Sequence, residues 1–183
     1  MKPVYFVSDI HLGAPSLRPD FEEKRKAELL KFFDAVEKNG SRMVIVGDLF
    51  DFWYEYRHVV PKNFFWLYAK LKEMVDRGIP IDYVAGNHDF YLGEFFTKSV
   101  GVKVYQDGFS EEIAGKKFLV IHGDGLALHD AGYRMLKRIL RNRFIQSLIR
   151  WVHPDIGFLM ARAFSKKSRE YTTSKDFGEM DGM

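Results

Sequence analysis

The sequence predicts an α/β fold in a single domain. Short apolar runs alternate with amphipathic stretches of helical period, glycines stand where predicted helices end, and four predicted strands end in Asp, Asn or His. The length of 183 residues fits one domain, because domains commonly contain about 100–150 residues. The balance of 46% hydrophobic and 29% charged residues is that of an ordinary globular protein.

Six apolar segments are short and bounded by polar residues or glycine, as strands are. Two amphipathic stretches lie among them. The first is predicted to begin at a capping pair formed by Asp20 and Glu23 and to end at Gly40, and the second covers Asn63–Arg77. The predicted strands are Val4–Val7, Met43–Val46, Ile81–Ala85, Val102–Tyr105, Phe109–Ile113 and Lys117–Ile121.

The pattern of the sequence changes after residue 125. Residues 129–164 are predicted to be mostly helical, with a break at His153-Pro154, because the residue before proline disfavours the helical conformation. The pattern therefore separates residues 1–125 from a mostly helical part that follows them.

Four predicted strands end in polar residues, namely Asp9, Asp48, Asn87 and His122. In open α/β sheets, ligands bind beyond the carboxyl ends of the strands. His11 is expected to face the same way as Asp9, because alternate residues of an extended chain share a side. Each short motif alone is usually a turn. Oxygen donors and imidazoles together, however, suit Mn, Fe or Zn, and the two oxygens of Asp48 allow it to bridge two ions.

Taken in order, Asp9-Ile-His11, Gly47-Asp-Leu-Phe-Asp51, Gly86-Asn-His-Asp89 and the later His122 resemble the motifs of the calcineurin-like metallophosphoesterases. The resemblance covers nearly the whole chain. It implies a β-sandwich core flanked by helices over residues 1–125, a helical cap inserted over residues 126–175, and a return toward the core over residues 176–183. It also implies two divalent ions, for which Mn is expected ahead of Fe or Zn. The implied ligands are Asp9, His11 and Asp48 for one ion, and Asp48, Asn87 and His122 for the other.

Two more residues of these motifs have implied catalytic roles. His88 is expected to lie over the scissile phosphate, where it donates a proton or stabilises charge. Asp51 is expected to orient His88, as carboxylates orient imidazoles elsewhere. Paired metal ions activate water as the nucleophile, so the absence of cysteine from the chain is consistent with this chemistry.

Three longer segments, Ser8–Leu12, Gly47–Trp53 and His122–Leu126, resemble one branch of that family. The branch hydrolyses the pyrophosphate of a lipid-linked UDP-sugar, UDP-2,3-diacylglucosamine, in lipid A biosynthesis. The implied products are UMP and 2,3-diacylglucosamine 1-phosphate. The implied substrate-binding residues are Asn87, His88, Asp130, Ser168, Thr172 and Lys175, and Thr172 stands where the branch has Asn.

Two departures from the branch bear on function. Many of its members carry Arg at the position of His88, and His there is typical of the wider family. The family also supplies a final Gly-His-x-His after one more strand, and this sequence contains no such motif. We expect the sequence to be part of a longer protein, and the alternative is an incomplete metal centre.

The predicted cap combines basic and apolar residues, with 10 Lys or Arg and three Asp or Glu between Ala127 and Glu170. One interpretation is a solvated helix face beside a core face. The other is an interfacial cap, whose basic residues meet anionic headgroups while apolar residues accept acyl chains. No apolar run approaches the ~18 residues of a membrane span, and no signal peptide is visible. We therefore expect a cytoplasmic protein, peripheral on the inner membrane, with no nucleic-acid partner.

Aromatic residues make up 16% of the chain, and many of them cluster around the Asp48 motif. Core packing is the default interpretation of such residues. The alternative is that part of the cluster lines a groove for an acyl chain. The cluster consists of Phe50, Phe52, Trp53, Tyr54, Tyr56, Phe64, Phe65 and Trp66.

Two other functions stay open beside hydrolysis of a lipid nucleotide. The first is a metallophosphoesterase for nucleotides or phosphodiesters, which His88 and the general motifs favour. The second is a non-catalytic module on the same fold, which only the missing Gly-His-x-His favours.

Overall fold

A computed structural model describes residues 2–14, 20–89, 91–124, 131–160 and 163. Its centre is a sheet of four strands in the order β1-β2-β3-β4, and every neighbouring pair is parallel. The carboxyl ends of these strands therefore lie at one edge of the sheet. The strands are β1 (Val4–Val7), β2 (Arg42–Val46), β3 (Ile81–Val84) and β4 (Lys103–Tyr105).

Helices α1 (Phe21–Asn39) and α2 (Phe65–Asp76) form the main core with one face of the sheet. In α1 the buried residues are Leu29, Phe33 and Val36, whose spacing places them on one side of a helix. A 3₁₀ turn, Lys62–Phe64, precedes α2, and a short π-helical segment, Phe95–Val100, lies between β3 and β4.

The predicted position of the start of α1 is confirmed, but the predicted capping interaction is wrong. Asp20 is the N-cap residue, but its side chain makes no capping hydrogen bond. The carboxylate of Asp20 instead forms an ion pair with Lys24, one helical turn away. The predicted end is confirmed, because the N–H of Gly40 donates to the carbonyl of Val36 at 2.7 Å.

An antiparallel hairpin forms a second layer of strands. Its strands are β5 (Phe109–Ile113) and β6 (Lys116–Val120). Val120 of the hairpin packs with Val44 and Val84 of the parallel sheet in a second buried cluster. The sheet thus has helices on one face and strands on the other, and the predicted α/β fold with a layered strand core is confirmed.

Helices α3 (Ala131–Leu140) and α4 (Arg143–Ile149) follow, and residues 154–160 are also helical. The predicted break at His153-Pro154 is confirmed. Among the described residues, no helix combines the length and apolar character that crossing a bilayer needs. The division into core, cap and returning segment stays a prediction.

Polar contacts attach the C-terminal helices to loops of the sheet edge. The hydroxyl of Tyr54 donates to the carbonyl of Gln146, and the guanidinium of Arg150 donates to the Tyr91 hydroxyl. Lys137 pairs with Asp124 at 2.5 Å, and Arg141 pairs with Asp107.

Candidate metal centre

The loops that carry the predicted ligands have unusual backbone conformations. Asp9, His11 and Asp48 have φ values of 55°, 50° and 54°. These are three of the four non-glycine residues with positive φ in the described part of the chain. Side chains with a Cβ avoid this region, so it is held only where surrounding structure imposes it, often at functional sites.

Two glycines allow the loops to approach one another. A Cβ added to Gly47, which has a φ of 76°, would lie 2.5 Å from Nδ1 of His122. A Cβ added to Gly86 would collide with Oδ1 of Asp48. The absence of a Cβ at these two positions therefore lets the loops that carry the ligands lie in direct contact.

Asp9, Asp48 and His122 form one group whose ligand atoms lie within 4.8 Å of one another. Nε2 of His122 lies 3.3 Å from Oδ2 of Asp48 and 3.0 Å from Oδ1 of Asn87. Its Nδ1 lies 2.9 Å from the carbonyl of Val46 and donates to it, because a carbonyl can only accept. This bond directs Nε2 into the centre, in the way that backbone carbonyls orient metal-binding histidines.

His11, Asp48 and His88 form a second group of the same size. Nε2 of His11 lies 3.7 Å from Oδ2 of Asp48 and 3.9 Å from Oδ1 of Asp9. Nδ1 of His11 is buried and has no hydrogen-bond partner among the described residues. Asp48 belongs to both groups, so the five predicted ligands converge. Their division between two ions stays a prediction.

The electrostatics of the group favour ionised Asp48. Burial opposes its charge, but hydrogen bonds from His122 and from the backbone N–H of His88 outweigh burial and lower the pKa of Asp48. The hydrogen bond to Asp48 raises the pKa of His122 to about 9. Burial lowers the pKa of His11, although nearby carboxylates oppose that shift.

These residues fit divalent ions by their chemistry. Two carboxylates, an amide oxygen and imidazole nitrogens face a common centre, and such mixed donors suit Mn, Fe or Zn. Asp48 is 2% exposed, and a buried carboxylate among close imidazoles is stabilised by a cation.

His88 is held by the residue that was expected to orient it, but through a different atom. Nδ1 of His88 lies 2.6 Å from the backbone carbonyl of Asp51 and donates to it, whereas Oδ1 of the Asp51 carboxylate is 3.8 Å away. The His88 ring also meets the His11 ring edge-on, with centroids 4.7 Å apart. Nε2 is therefore the nitrogen that His88 offers to a ligand.

Asp89 has a positioning role that was not predicted from the sequence. This carboxylate is fully buried and accepts hydrogen bonds from the N–H groups of Gly86 at 2.6 Å and Leu49 at 2.9 Å, and from the Tyr83 hydroxyl. It thereby joins the loops after β2 and β3. Burial raises its pKa. Asp89 is part of the motif Gly86-Asn-His-Asp89. The sequence alone does not distinguish a buried carboxylate that accepts hydrogen bonds from one that binds a metal ion.

The aromatic cluster divides between two environments. Phe50, Trp53 and Tyr54 are fully buried, and the rings of Phe50 and Trp53 stack with centroids 4.7 Å apart. Core packing therefore accounts for this part. Phe52, Tyr56 and Phe64 instead line a groove of about 540 Å³ that begins beside Leu12, Gly13 and Asp51 and reaches Pro154, Asp155 and Phe158.

Four predicted substrate-binding residues lie outside the described part of the chain: Asp130, Ser168, Thr172 and Lys175. Their roles stay predictions. Asn87 and His88, the other two, lie at the centre itself.

A parallel sheet whose carboxyl edge gathers His, Asp and Asn donors around one buried carboxylate is the arrangement of a candidate divalent-metal centre. The family model of calcineurin-like phosphoesterases matches residues 2–175, and the chain belongs to this family.

Curated relatives that share this family carry the name UDP-2,3-diacylglucosamine hydrolase. The protein of Porphyromonas gingivalis is 34% identical over 91% of this chain and 63% of its own length. The protein of Vibrio parahaemolyticus is 30% identical over 97% of this chain and 69% of its own length. The protein of Neisseria meningitidis serogroup B is 32% identical over 81% of this chain and 59% of its own length. The chain thus spans about three fifths to seven tenths of these relatives.

Proposed function

We propose that the protein hydrolyses the pyrophosphate of UDP-2,3-diacylglucosamine to UMP and 2,3-diacylglucosamine 1-phosphate, by attack at the α-phosphorus. One observation carries the proposal. The two ligand groups that share Asp48 lie directly beside an apolar groove of about 540 Å³. A centre for phosphate chemistry next to a site for apolar chains suits a lipid nucleotide, and the names of the relatives agree with it.

We propose two divalent ions, most readily Mn, with Asp9, His11, Asp48, Asn87 and His122 as ligands. Bound ions would supply an activated water and neutralise charge that develops on the phosphate. The protein contributes the placement. Asp48 belongs to both ligand groups, and its Oδ2 faces Nε2 of His11 and of His122. The Val46 carbonyl fixes the ring of His122.

His88 is proposed to act on the phosphate itself. Its Nδ1–H is engaged by the Asp51 carbonyl, so a neutral His88 presents Nε2 as an acceptor. Only the protonated ring donates from Nε2. We therefore propose that His88 enters the reaction as an imidazolium, which stabilises negative charge on the phosphate or gives its proton to the leaving oxygen.

The acyl chains are proposed to occupy the apolar groove. Phe52, Tyr56 and Val59 form part of its wall, and Phe158 closes it from the helical residues 154–160. The groove starts at Asp51, whose carbonyl holds His88, so a lipid in the groove would begin at the phosphate. Asp130, Ser168, Thr172 and Lys175 are proposed to complete substrate binding.

We propose that the C-terminal helices contact the cytoplasmic face of the inner membrane. Large apolar side chains point outward there, including Phe144, Leu148, Trp151 and Leu159, and Trp151 is 87% exposed. Lys137, Arg141 and Arg150 are paired with the core. We therefore propose that insertion of apolar side chains into the bilayer contributes more to this contact than attraction between basic side chains and anionic headgroups. We propose no nucleic-acid partner.

Hydrolysis of UDP-2,3-diacylglucosamine in mixed micelles, by the full-length protein with Mn and in H₂¹⁸O, tests the proposal. We expect ¹⁸O in UMP and none in the lipid phosphate. An intact substrate would refute the specific activity. Rapid cleavage of bis-p-nitrophenyl phosphate in the same preparation would then favour a general phosphodiesterase, and a protein that retains no divalent metal would favour a non-catalytic module.

A further inference from the structure

Two cavities lie on opposite sides of the candidate metal centre. The apolar groove of about 540 Å³ starts at Leu12 and Gly13, which follow β1 at one edge of the parallel sheet. A smaller cavity of about 130 Å³ lies beside Gln106 and Asp107, which follow β4 at the other edge. His122 lines this smaller cavity, so it adjoins the ligand group of Asp9, Asp48 and His122.

We propose that the smaller cavity binds the pyrimidine ring of the nucleotide half of the substrate. This inference rests on the proposed function. At the α-phosphorus the lipid half is the leaving group and the nucleoside is a separate substituent, so the two parts of the substrate extend from this atom in different directions. Diacylated sugar needs the larger, apolar site. The nucleotide is left with the site across the metal centre.

The size and walls of the cavity suit a single polar ring. A cavity of ~150 Å³ accommodates benzene, so about 130 Å³ matches the size of one six-membered ring. Its polar walls include Gln106, Asp124 and Lys137. Uracil presents two carbonyl acceptors around one N–H donor, and it needs such a mixture of donors and acceptors.

The polar groups of the cavity are fixed before a ligand arrives. Nζ of Lys137 lies 2.5 Å from Oδ2 of Asp124, and Nε2 of Gln106 donates to the Leu92 carbonyl at 3.0 Å. The guanidinium of Arg141 binds both Asp107 and the carbonyl of Gln106. Pre-positioned groups of this kind lower the entropy that binding costs. Lys137 also brings positive charge close to where the α-phosphate of the nucleotide would lie.

The test compares the binding of the two products to the full-length protein loaded with Mn. Lys137→Met and Gln106→Leu are expected to weaken UMP binding about tenfold each, the effect of losing a hydrogen bond to a charged or buried group. They should leave the binding of 2,3-diacylglucosamine 1-phosphate unchanged. Val59→Trp, which fills the apolar groove, should weaken the binding of 2,3-diacylglucosamine 1-phosphate and leave UMP binding unchanged. Lys117→Met, on the exposed hairpin, is the control.

Lys137→Arg and metal analysis separate binding from structure. Arg keeps the charge and the pairing with Asp124, so we expect it to recover most of the UMP affinity at unchanged metal content. Wild-type UMP affinity in both Lys137→Met and Gln106→Leu would overturn the nucleotide site and leave the proposed function standing. Equal losses for both products, with lost metal, would also overturn it. A wild-type protein that binds neither product would refute the proposed function as well.

Discussion

The loops at the carboxyl edge of the sheet and the helices between residues 131 and 160 were both recognisable in the sequence, but they relate to the rest of the molecule differently. In the loops, polar residues from distant positions turn toward one buried carboxylate, Asp48. In the helices, Lys137 and Arg150 reach back to the core, and large apolar side chains such as Phe144 and Trp151 face outward. The loops direct polar side chains toward a common buried centre, whereas the described helices leave large apolar side chains exposed.

The largest expected effect comes from the residue shared by the two ligand groups. Asp48→Asn removes the negative charge that both groups surround, so we expect activity to fall by well over ~100-fold, since residues that only support metal ligands cost 10–100-fold. Metal content should fall in parallel, measured by mass spectrometry. Asp34→Asn, on the exposed side of α1, is the control. Full metal content in Asp48→Asn would argue against a shared ligand.

The close approach of the loops is tested by Gly47→Ala against Gly115→Ala. Both glycines have positive φ, 76° and 78°, so both variants should lose about 1–2 kcal/mol of stability through backbone strain. Only at Gly47 would the new Cβ meet a proposed ligand, the His122 ring at 2.5 Å, whereas no atom of the described residues lies within 4 Å at Gly115. Metal affinity should therefore fall about tenfold or more in Gly47→Ala alone. Equal metal affinities of the two variants would mean that the His122 ring moves aside without weakening metal binding.

The outward face of the helices is tested with vesicles that contain anionic lipid. Trp151→Ser and Phe144→Ser should each weaken partitioning about tenfold, because burying a large apolar side chain contributes about 1.5–3 kcal/mol. Metal content should not change. Phe118→Ser removes an exposed ring from the β5–β6 hairpin, which lies outside both regions, and is expected to have no effect. If all three variants partition like the wild type, the membrane surface lies elsewhere.

The smallest expected effect is a pH dependence of the free energy of unfolding of the metal-free protein. The folded pKa of His122 is raised to about 9, mainly by the hydrogen bond to Asp48, whereas its ordinary value is 6.5. A raised pKa contributes stability that is full below pH 6.5 and is lost as pH rises through about 9. The free energy of unfolding of the metal-free protein should therefore decline between pH 7 and pH 9.5 in denaturant titrations. His122→Gln should flatten that decline, and an unchanged slope would contradict the pairing.

Much of the fold followed from local patterns. The apolar runs identified all six strands to within about a residue at each end, and Gly40 ended α1 as expected. These signals are local, since a strand or a helix end depends on residues that are neighbours in sequence. The capping pair at Asp20 was wrong because a side-chain cap competes with the nearby partner Lys24, and sequence does not decide that competition.

The sequence by itself determined which residues form the candidate metal centre, because parallel strands deliver the residues that follow them to one edge. The tertiary structure alone decided how these residues are held. The left-handed backbone at Asp9, His11 and Asp48, and the carbonyl of Asp51 that holds His88, depend on packing between loops far apart in the chain. The tertiary structure also decided which residues of the aromatic cluster belong to the core and which line the groove. Phe50 and Phe52 are the same residue type two positions apart, and only the three-dimensional arrangement assigns one to the core and the other to the groove.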